Sequence, residues 1–182
     1  VCLIMTRAST QNPVNTSKVH QVYAGDKALS PFHACYANAR TILRLAAGRF
    51  FAHYNGEDIS ATYWALRRAA VLYDVPERPV EISGPDAICF LERMFTRRAA
   101  NIAIGRGKYV LACTHEGGLF MDGILFRLAD ERFWFVQPDG DLDTWLLAHR
   151  HGYDVKIHDP HSRVLQLQGP QSLAIINAAS DG

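Results

Sequence analysis

A glycine pair between two apolar segments constrains the fold of this chain more than any other feature. Gly117 and Gly118 separate KYVLACTH, residues 108–115, from LFMDGILFRL, residues 119–128. Glycine reaches the positive φ angles of tight hairpin turns without a steric penalty, so the two segments are predicted to pair as antiparallel strands. A hairpin in the middle of the chain argues against a purely parallel sheet.

The other segments alternate between helical and strand periodicity. Residues 32–47 and 58–73 are predicted to be helices, the second capped by Asp58 or Ser60. The remaining elements are a strand, a Gly-Pro break and a helix over 79–95, a strand over 132–137, a helix over 141–151, a strand over 153–158, and a second strand, Gly-Pro break and helix over 164–177. This mixed order predicts an α+β domain, with a mostly antiparallel sheet and helices packed on one face.

Length and composition indicate one soluble domain. The chain has 182 residues. Residues 6–30 lack periodicity, and residues 1–30 are predicted to form an extended or poorly ordered N-terminal arm before a domain over 31–182. A formal net charge of +1 gives no reason to expect nucleic acid or a membrane surface as a partner. Four scattered cysteines without a CxxC spacing favour reduced thiols and a cytoplasmic location.

A carboxylate interrupts the apolar face of the strand that follows the glycine pair. Alternate residues of a strand share a face, which places Asp122 among Phe120, Ile124, Phe126 and Leu128. Burying an unpaired carboxylate costs on the order of several kcal/mol, so a partner or a function is expected at this position.

Two structural explanations compete with a functional one for Asp122. Gly123 could supply a β-bulge that changes the face, or backbone N–H groups could satisfy the carboxylate. Hairpin geometry places Tyr109 near Phe126, and both could line a cleft that also holds Asp122. Gln137 ends a strand, and its amide could contact a flat ligand or cap the next turn; the cap is the favoured interpretation.

The histidine-rich segments do not predict a metal site. HRH at 149–151 places its two imidazoles on different sides of a helix, and HDPH at 158–161 lacks a convincing third ligand. No nucleophile motif with a recognisable elbow is present either. The sequence therefore predicts no metal site and offers no recognisable set of residues for nucleophilic catalysis.

Six segments together resemble the tetrahydrofolate-dependent aminomethyltransferases, the family typified by the glycine cleavage system T protein. They occur in the family's order and cover about two thirds of the chain: YWALRRAAVLYDV, VEISGPDA, GKYVLACTHEGGLFMDGILFRL, FWFVQ, YDVKIHD and LQLQGPQS. The DVPERPVEI and KIHDP segments and the YW pair most resemble the branch that contains dimethylsulfoniopropionate demethylase. The resemblance implies a T-protein-like folate-binding domain and transfer of a methyl or aminomethyl group from a small-molecule donor to N5 of tetrahydrofolate.

The resemblance also implies site residues. The second acid of the family's GGxxDD motif falls on Asp122, which is thereby the implied catalytic residue, while the first acid is replaced by Met121, which argues against a pure aminomethyltransferase role. The family's tyrosine falls on Tyr109 and its strand-end Asn on Gln137. Apolar positions that flank the bound folate fall on Ile124, Phe126 and Phe135.

Members of this family are more than twice as long as this chain. The domain is therefore expected to be truncated on its C-terminal side, with little or no turnover by itself. A non-catalytic folate-binding or regulatory protein of the same fold is the alternative function. The resemblance allows a homo-oligomer, or a carrier protein in the case of a true T protein, as a macromolecular partner.

Overall fold

The computed structural model describes residues 2–3, 27–137 and 140–180. In chain order the elements are β1 (Cys2–Leu3), β2 (Ala28–Leu29), α1 (His33–Tyr36), β3 (Ile42–Ala46), β4 (Arg49–Tyr54), α2 (Ile59–Arg68), β5 (Val71–Asp74), β6 (Arg78–Ser83), α3 (Ala87–Met94), β7 (Arg106–Cys113), β8 (Leu119–Ala129), β9 (Arg132–Gln137), α4 (Leu142–His149), β10 (Lys156–His158), β11 (Leu165–Gln168) and α5 (Ser172–Ala179).

These elements form two compact units. We call Glu77–Arg163 the central unit, and we call Val1–Pro76 together with Val164–Gly182 the split unit. The predicted arm over residues 1–30 lies mostly outside the described residues. Its described residues include the two short strands β1 and β2.

The central unit contains a five-stranded sheet in the order β10-β6-β9-β8-β7, and every neighbouring pair is antiparallel. Helices α3 and α4 pack on one face of this sheet, which we call the core face. Its buried cluster includes Phe90 and Leu91 from α3, Leu146 from α4, and Leu125 and Phe135 from the sheet. On the opposite side, which we call the open face, no helix packs within the described residues of this unit. The predicted α+β architecture is therefore confirmed.

Strand β8 shows the period-two pattern that separates the two faces. Met121, Gly123 and Leu125 are buried on the core face, whereas Ile124 and Phe126 are exposed on the other face. The pairing of β7 with β8 runs without a register shift past Gly123, so the bulge considered for this glycine does not form. A Cβ atom at Gly123 would lie 2.5 Å from the Val136 carbonyl oxygen and 2.6 Å from Cζ of Phe135, which explains the glycine.

The two predicted strand, Gly-Pro, helix segments are both present. Gly84, with φ of +134°, directly follows β6, and Gly169, with φ of +128°, directly follows β11. A Cβ atom at either glycine would lie 2.4 Å from a carbonyl oxygen, that of Asp154 or that of Ala69 respectively. The N–H of Ala87 donates to the Gly84 carbonyl at 3.0 Å, and the N–H of Ser172 donates to the Gly169 carbonyl at 3.1 Å. The same turn thus begins α3 in the central unit and α5 in the split unit.

The split unit contains two three-stranded sheets, with orders β1-β5-β11 and β2-β4-β3. Tyr36 and Asp74 are both buried, and the Tyr36 hydroxyl donates to Asp74 Oδ2 at 2.8 Å. Burying a carboxylate costs free energy, and this hydrogen bond offsets part of that cost.

The helix predicted over residues 32–47 is wrong beyond Tyr36. Residues from Ile42 to Ala46 form β3, which pairs with β4 through a turn at Ala47 and Gly48, with φ of 47° and 74°. Two successive positive φ angles are the geometry of a type I′ hairpin turn, which the sequence interpretation missed because alanine is rare there.

The helix predicted over residues 58–73 ends at Arg68 instead. Asp58 caps its first turn as predicted, since its Oδ1 accepts a hydrogen bond from the Ala61 N–H at 2.9 Å. Val71 to Asp74 form β5, so the apolar residues interpreted as the helix's last turns belong to a strand. The strand predicted over residues 153–158 is likewise shorter, and only Lys156–His158 pairs with β6.

Candidate functional site

The open face of the central sheet exposes a group of neighbouring apolar side chains. Tyr109 on β7 lies opposite Ile124 on β8, which in turn lies opposite Val136 on β9. Tyr109 is 53% exposed, Ile124 is 42% exposed and Phe126 is 36% exposed. A contiguous exposed apolar patch on a soluble protein is typical of a binding surface.

Asp122 lies on this open face and has a side-chain partner. It is half-buried, and it occupies the position diagonal to Tyr109 across the β7–β8 pair, where the Tyr109 hydroxyl donates a hydrogen bond to Asp122 Oδ2. Among the described residues this is the hydrogen bond that the carboxylate accepts. The question raised by the sequence therefore has a definite answer: the carboxylate is partly exposed and it is paired with a phenol rather than with the main chain.

The electrostatics of this pair keep Tyr109 protonated. The hydrogen bond to Asp122 is the main cause that raises the pKa of the Tyr109 phenol, and desolvation and the negative charge of Asp122 act in the same direction. A protonated phenol that points its hydrogen at Oδ2 orients the carboxylate and leaves Oδ1 as the oxygen that can accept from a ligand.

Gly107 provides the space in which Phe126 lies. The two residues are opposite each other on β7 and β8, and a Cβ atom at Gly107 would lie 2.7 Å from two atoms of the Phe126 ring. The ring therefore lies directly over the glycine backbone, so this glycine controls the shape of the open face.

A group of polar side chains around one buried carboxylate borders the apolar patch. Glu81 is buried on β6, and its Oε2 accepts hydrogen bonds from Trp134 Nε1 at 2.6 Å and from Arg132 Nε at 2.9 Å, while Nε2 of His158 lies 3.8 Å from its Oε1. Although burial opposes it, the hydrogen bonds from Arg132 and Trp134 hold the pKa of Glu81 below its usual range. Trp134 lies opposite Phe126, and its hydrogen bond to Glu81 fixes the indole ring at the edge of the patch.

The structure brings four of the six sequence-predicted site residues together. Tyr109, Asp122, Ile124 and Phe126 share the open face, as the alternation predicted. Trp134 and Val136 also lie there, and sequence reasoning missed them. The signal was present, because both alternate with the buried residues of β9.

Phe135 and Gln137 lie on the core face instead, so the structure does not bring them to Asp122. Phe135 is fully buried and stacks on Phe95 with ring centroids 5.1 Å apart. Gln137 is 1% exposed, and its Oε1 accepts a hydrogen bond from the Leu142 N–H at 3.3 Å. The cap of the next element, which was the favoured interpretation of this amide, is therefore confirmed. Strand alternation is the physical reason that both side chains point away from the open face.

Two negative findings apply to the described part of the chain. Over residues 27–137 and 140–180, no three His, Cys, Asp or Glu side chains converge in a group that could hold a metal ion. Within the same residues, no helix has the length and apolar character needed to cross a membrane.

Known proteins match this chain over most of its length. The family model described as the GCVT N-terminal domain matches residues 33–182. An aminomethyltransferase of Bacillus subtilis (strain 168) is 31% identical over 129 residues, which cover 68% of this chain and 35% of the relative. An aminomethyltransferase of Lysinibacillus sphaericus (strain C3-41) is 29% identical over 120 residues, which cover 63% of this chain and 33% of the relative.

A solved structure agrees with these sequence matches. The crystal structure of the glycine cleavage system aminomethyltransferase T from Bartonella henselae superposes with a TM-score of 0.75 at 25% identity, covering 83% of this chain and 43% of that chain. The chain therefore spans about a third of the length of the two curated relatives. With the family model, the relatives and the solved fold in agreement, the chain belongs to the glycine cleavage T-protein-like family, in its GCVT N-terminal domain.

Proposed function

We propose that the open face of the central sheet binds tetrahydrofolate. In this proposal the chain is the folate-binding part of an enzyme that transfers an aminomethyl or methyl group from a small-molecule donor to N5 of tetrahydrofolate. The observation that carries the proposal is the pairing of Asp122 with Tyr109 among exposed apolar side chains. Support comes from the relatives, two of which are aminomethyltransferases.

The residues of the open face fit a reduced pteridine. Ile124 and Phe126 expose apolar surface that a flat ring would cover, and Gly107 leaves the Phe126 ring seated against the strand. Asp122 offers a carboxylate oxygen to the N–H groups that such a ring presents. An apolar surface with a few convergent polar groups is the usual character of a small-molecule site.

Tetrahydrofolate would supply a nucleophilic nitrogen, and the chain would supply alignment and charge. Asp122 would accept a hydrogen bond from a nitrogen of the ligand, and its negative charge would favour positive charge that develops on the folate during alkylation. Tyr109 would hold the carboxylate in place through its hydrogen bond. Such a transfer depends on positioning, and no covalent bond to the protein is needed.

A demethylase-like donor is the finer part of this proposal, and it rests on sequence segments alone. Met121, which replaces an acid of the family motif, is 9% exposed, and a Cβ atom at Gly140 would lie 2.4 Å from its Cε. The side chain at position 121 thus packs on the core face, so its identity does not alter the charge of the open face. The replacement therefore no longer argues against aminomethyl transfer.

Calorimetric titration with tetrahydrofolate tests the proposal. The wild-type chain is expected to show saturable heat, and Asp122→Ala is expected to weaken binding by about tenfold or more, because a charge-assisted hydrogen bond contributes roughly 1.5–3 kcal/mol. Glu131→Ala is the matched control, because it removes an exposed carboxylate from the turn between β8 and β9. Equal heats for wild type and Asp122→Ala would remove Asp122 from the site.

A further inference from the structure

A cavity lies in the central unit, and its lining shares no residue with the patch around Asp122. Its volume is about 330 Å³, which is within the range of small-molecule sites. The last turn of α3 contributes Arg93, the segment after α3 contributes Thr96, the segment after β7 contributes His115, and α4 contributes Trp145 and His149. None of the proposed folate contacts lines this cavity.

The polar groups of this cavity favour an anion. The side chains that line it include the Arg93 guanidinium and two imidazoles, and they include no carboxylate. Among the described residues, no Asp or Glu oxygen lies within ion-pair distance of Arg93, in contrast to Arg98, which pairs with Glu92 at 3.5 Å. A fixed positive charge beside a cavity without a neutralising acid attracts an anionic ligand.

Trp145 adds a hydrogen-bond donor to the same cavity. Its indole Nε1 is buried and has no hydrogen-bond partner among the described residues. Buried polar groups are nearly always satisfied, and a donor left unsatisfied beside a cavity is consistent with a ligand acceptor at that place. Trp145 and Arg93 both line the space, and a small rotation of the indole would let one oxyanion contact its N–H and the guanidinium together.

Aromatic rings form much of the wall. The rings of Trp145 and His149, which line the cavity together with Phe95, have centroids 4.2 Å apart. Phe120, which is not part of the lining, packs against Trp145 with ring centroids 4.9 Å apart. The hydrogen bond of 2.8 Å between His149 Nδ1 and the Trp145 carbonyl oxygen fixes the imidazole, and because a carbonyl can only accept, Nδ1 is the donor. A rigid aromatic wall favours a flat ligand body that stacks against it.

We propose that this cavity is a binding site for a small organic oxyanion, a carboxylate or a phosphate ester on a flat apolar body. Arg93 binds the charged group, the Trp145 indole N–H donates to one of its oxygens, and the body packs against the aromatic wall. This site does not depend on the folate proposal, because the two sets of residues are separate.

Nuclear magnetic resonance of the indole N–H groups tests this site directly. The chain has three tryptophans, whose signals can be assigned with Trp64→Phe and Trp134→Phe. Benzoate and phenyl phosphate are the probes for the two anionic groups, and neutral benzamide is the probe for the body alone. We expect a saturable downfield shift of the Trp145 signal with at least one of the two anions, with the Trp64 and Trp134 signals unchanged.

Matched arginine variants provide the second measurement. Arg93→Met is expected to weaken the binding of the anion about tenfold, whereas Arg97→Met, at an exposed arginine outside the cavity, is expected to leave it unchanged. The absence of a Trp145 shift with either anion would overturn the proposal, and so would equal binding of benzamide. Because the shift is measured on the wild type, the test stands even if a variant folds poorly.

Discussion

At the scale of single residues, the chain uses phenol–carboxylate pairs in two different environments. Tyr109 and Asp122 form an exposed pair on the open face, where one carboxylate oxygen can still meet a ligand. Tyr36 and Asp74 form a buried pair, where the hydroxyl offsets the cost of placing a carboxylate inside the split unit. In our proposal the Tyr109–Asp122 pair serves ligand recognition. The Tyr36–Asp74 pair stabilises the fold.

Removal of the Tyr36 hydroxyl tests the stabilising pair. Tyr36→Phe is expected to lower the free energy of unfolding by about 1–3 kcal/mol at pH 7, because Asp74 loses a hydrogen bond while it stays buried. Urea unfolding followed by circular dichroism measures this change. Tyr63→Phe, at a 52% exposed tyrosine, is the control and should change stability by less than about 0.5 kcal/mol.

The same pair predicts a pH dependence. Burial, followed by the hydrogen bond to Asp74 and its negative charge, raises the pKa of Tyr36 from 10.0 to about 12. Because the folded pKa is the higher one, the contribution of Tyr36 is complete below pH 10.0 and is lost as the pH rises from 10.0 to about 12. Wild type should lose more stability over this interval than Tyr36→Phe, and identical losses would contradict the account.

At the scale of elements, strand β8 separates stability from recognition. Gly123 on its core face lies against Phe135, and Phe126 on its open face lies over Gly107 of β7. An added methyl group therefore meets a tightly packed core at one glycine and a partly exposed ring at the other.

Two alanine substitutions distinguish these faces. Gly123→Ala is expected to lower the free energy of unfolding by at least about 1–3 kcal/mol, because its Cβ would meet a main-chain oxygen and a buried ring. Gly107→Ala should cost less stability but should reduce tetrahydrofolate binding, because its Cβ displaces the Phe126 ring from the open face. Thermal unfolding and calorimetry measure the two effects, and a pattern with the effects exchanged would refute the assignment of faces.

Local signals determined how far the fold could be predicted. The central hairpin, both Gly-Pro turns and the buried stripe of α3 were predicted, because glycine positions and apolar periodicity specify them locally. The hairpin of β3 and β4 was missed, because its turn places Ala47 at a positive φ that alanine seldom adopts. Strand β5 was absorbed into a helix, because a short apolar run fits either period.

The candidate site could be predicted only in part for a related reason. Alternation along β8 placed Asp122, Ile124 and Phe126 on one face, and that assignment was right. It also placed Phe120 there, which is wrong, because the β7–β8 register shifts between Ala112 and Cys113 and Phe120 packs against the core cluster. The match to family positions assigned Phe135 and Gln137 to the ligand site. Alternation along β9 places both side chains in the core instead. Trp134 was missed, although the same alternation along β9 places it on the open face.

At the scale of the whole molecule, the same turn begins a helix in each compact unit. Gly84 in the central unit and Gly169 in the split unit share a positive φ and a close carbonyl contact. Alanine at either position combines backbone strain with a steric clash, so neither glycine can be replaced without moving the strand or the helix.

Hydrogen exchange tests the role of each turn in its own unit. Gly84→Ala is expected to lower amide protection most within residues 77–163, and Gly169→Ala is expected to do so within residues 27–76 and 164–180, because each clash involves a carbonyl of the same unit. Undiminished protection in both variants would show that the turn geometry does not limit stability.

We propose that the open face of the sheet, and not its core face, receives a folate. Isoleucine methyl groups report on both faces of the same sheet, since Ile124 is 42% exposed on the open face and Ile82 is fully buried on the core face. Asp122→Asn, which keeps the size of the side chain and removes its charge, is the matched variant.

Methyl resonances recorded during a titration with tetrahydrofolate are the most direct measurement. We expect a saturable shift of the Ile124 methyl signal, little change at Ile82, and a markedly weaker response in Asp122→Asn. An unmoved Ile124 signal, or equal shifts at Ile82 and Ile124, would contradict the proposal.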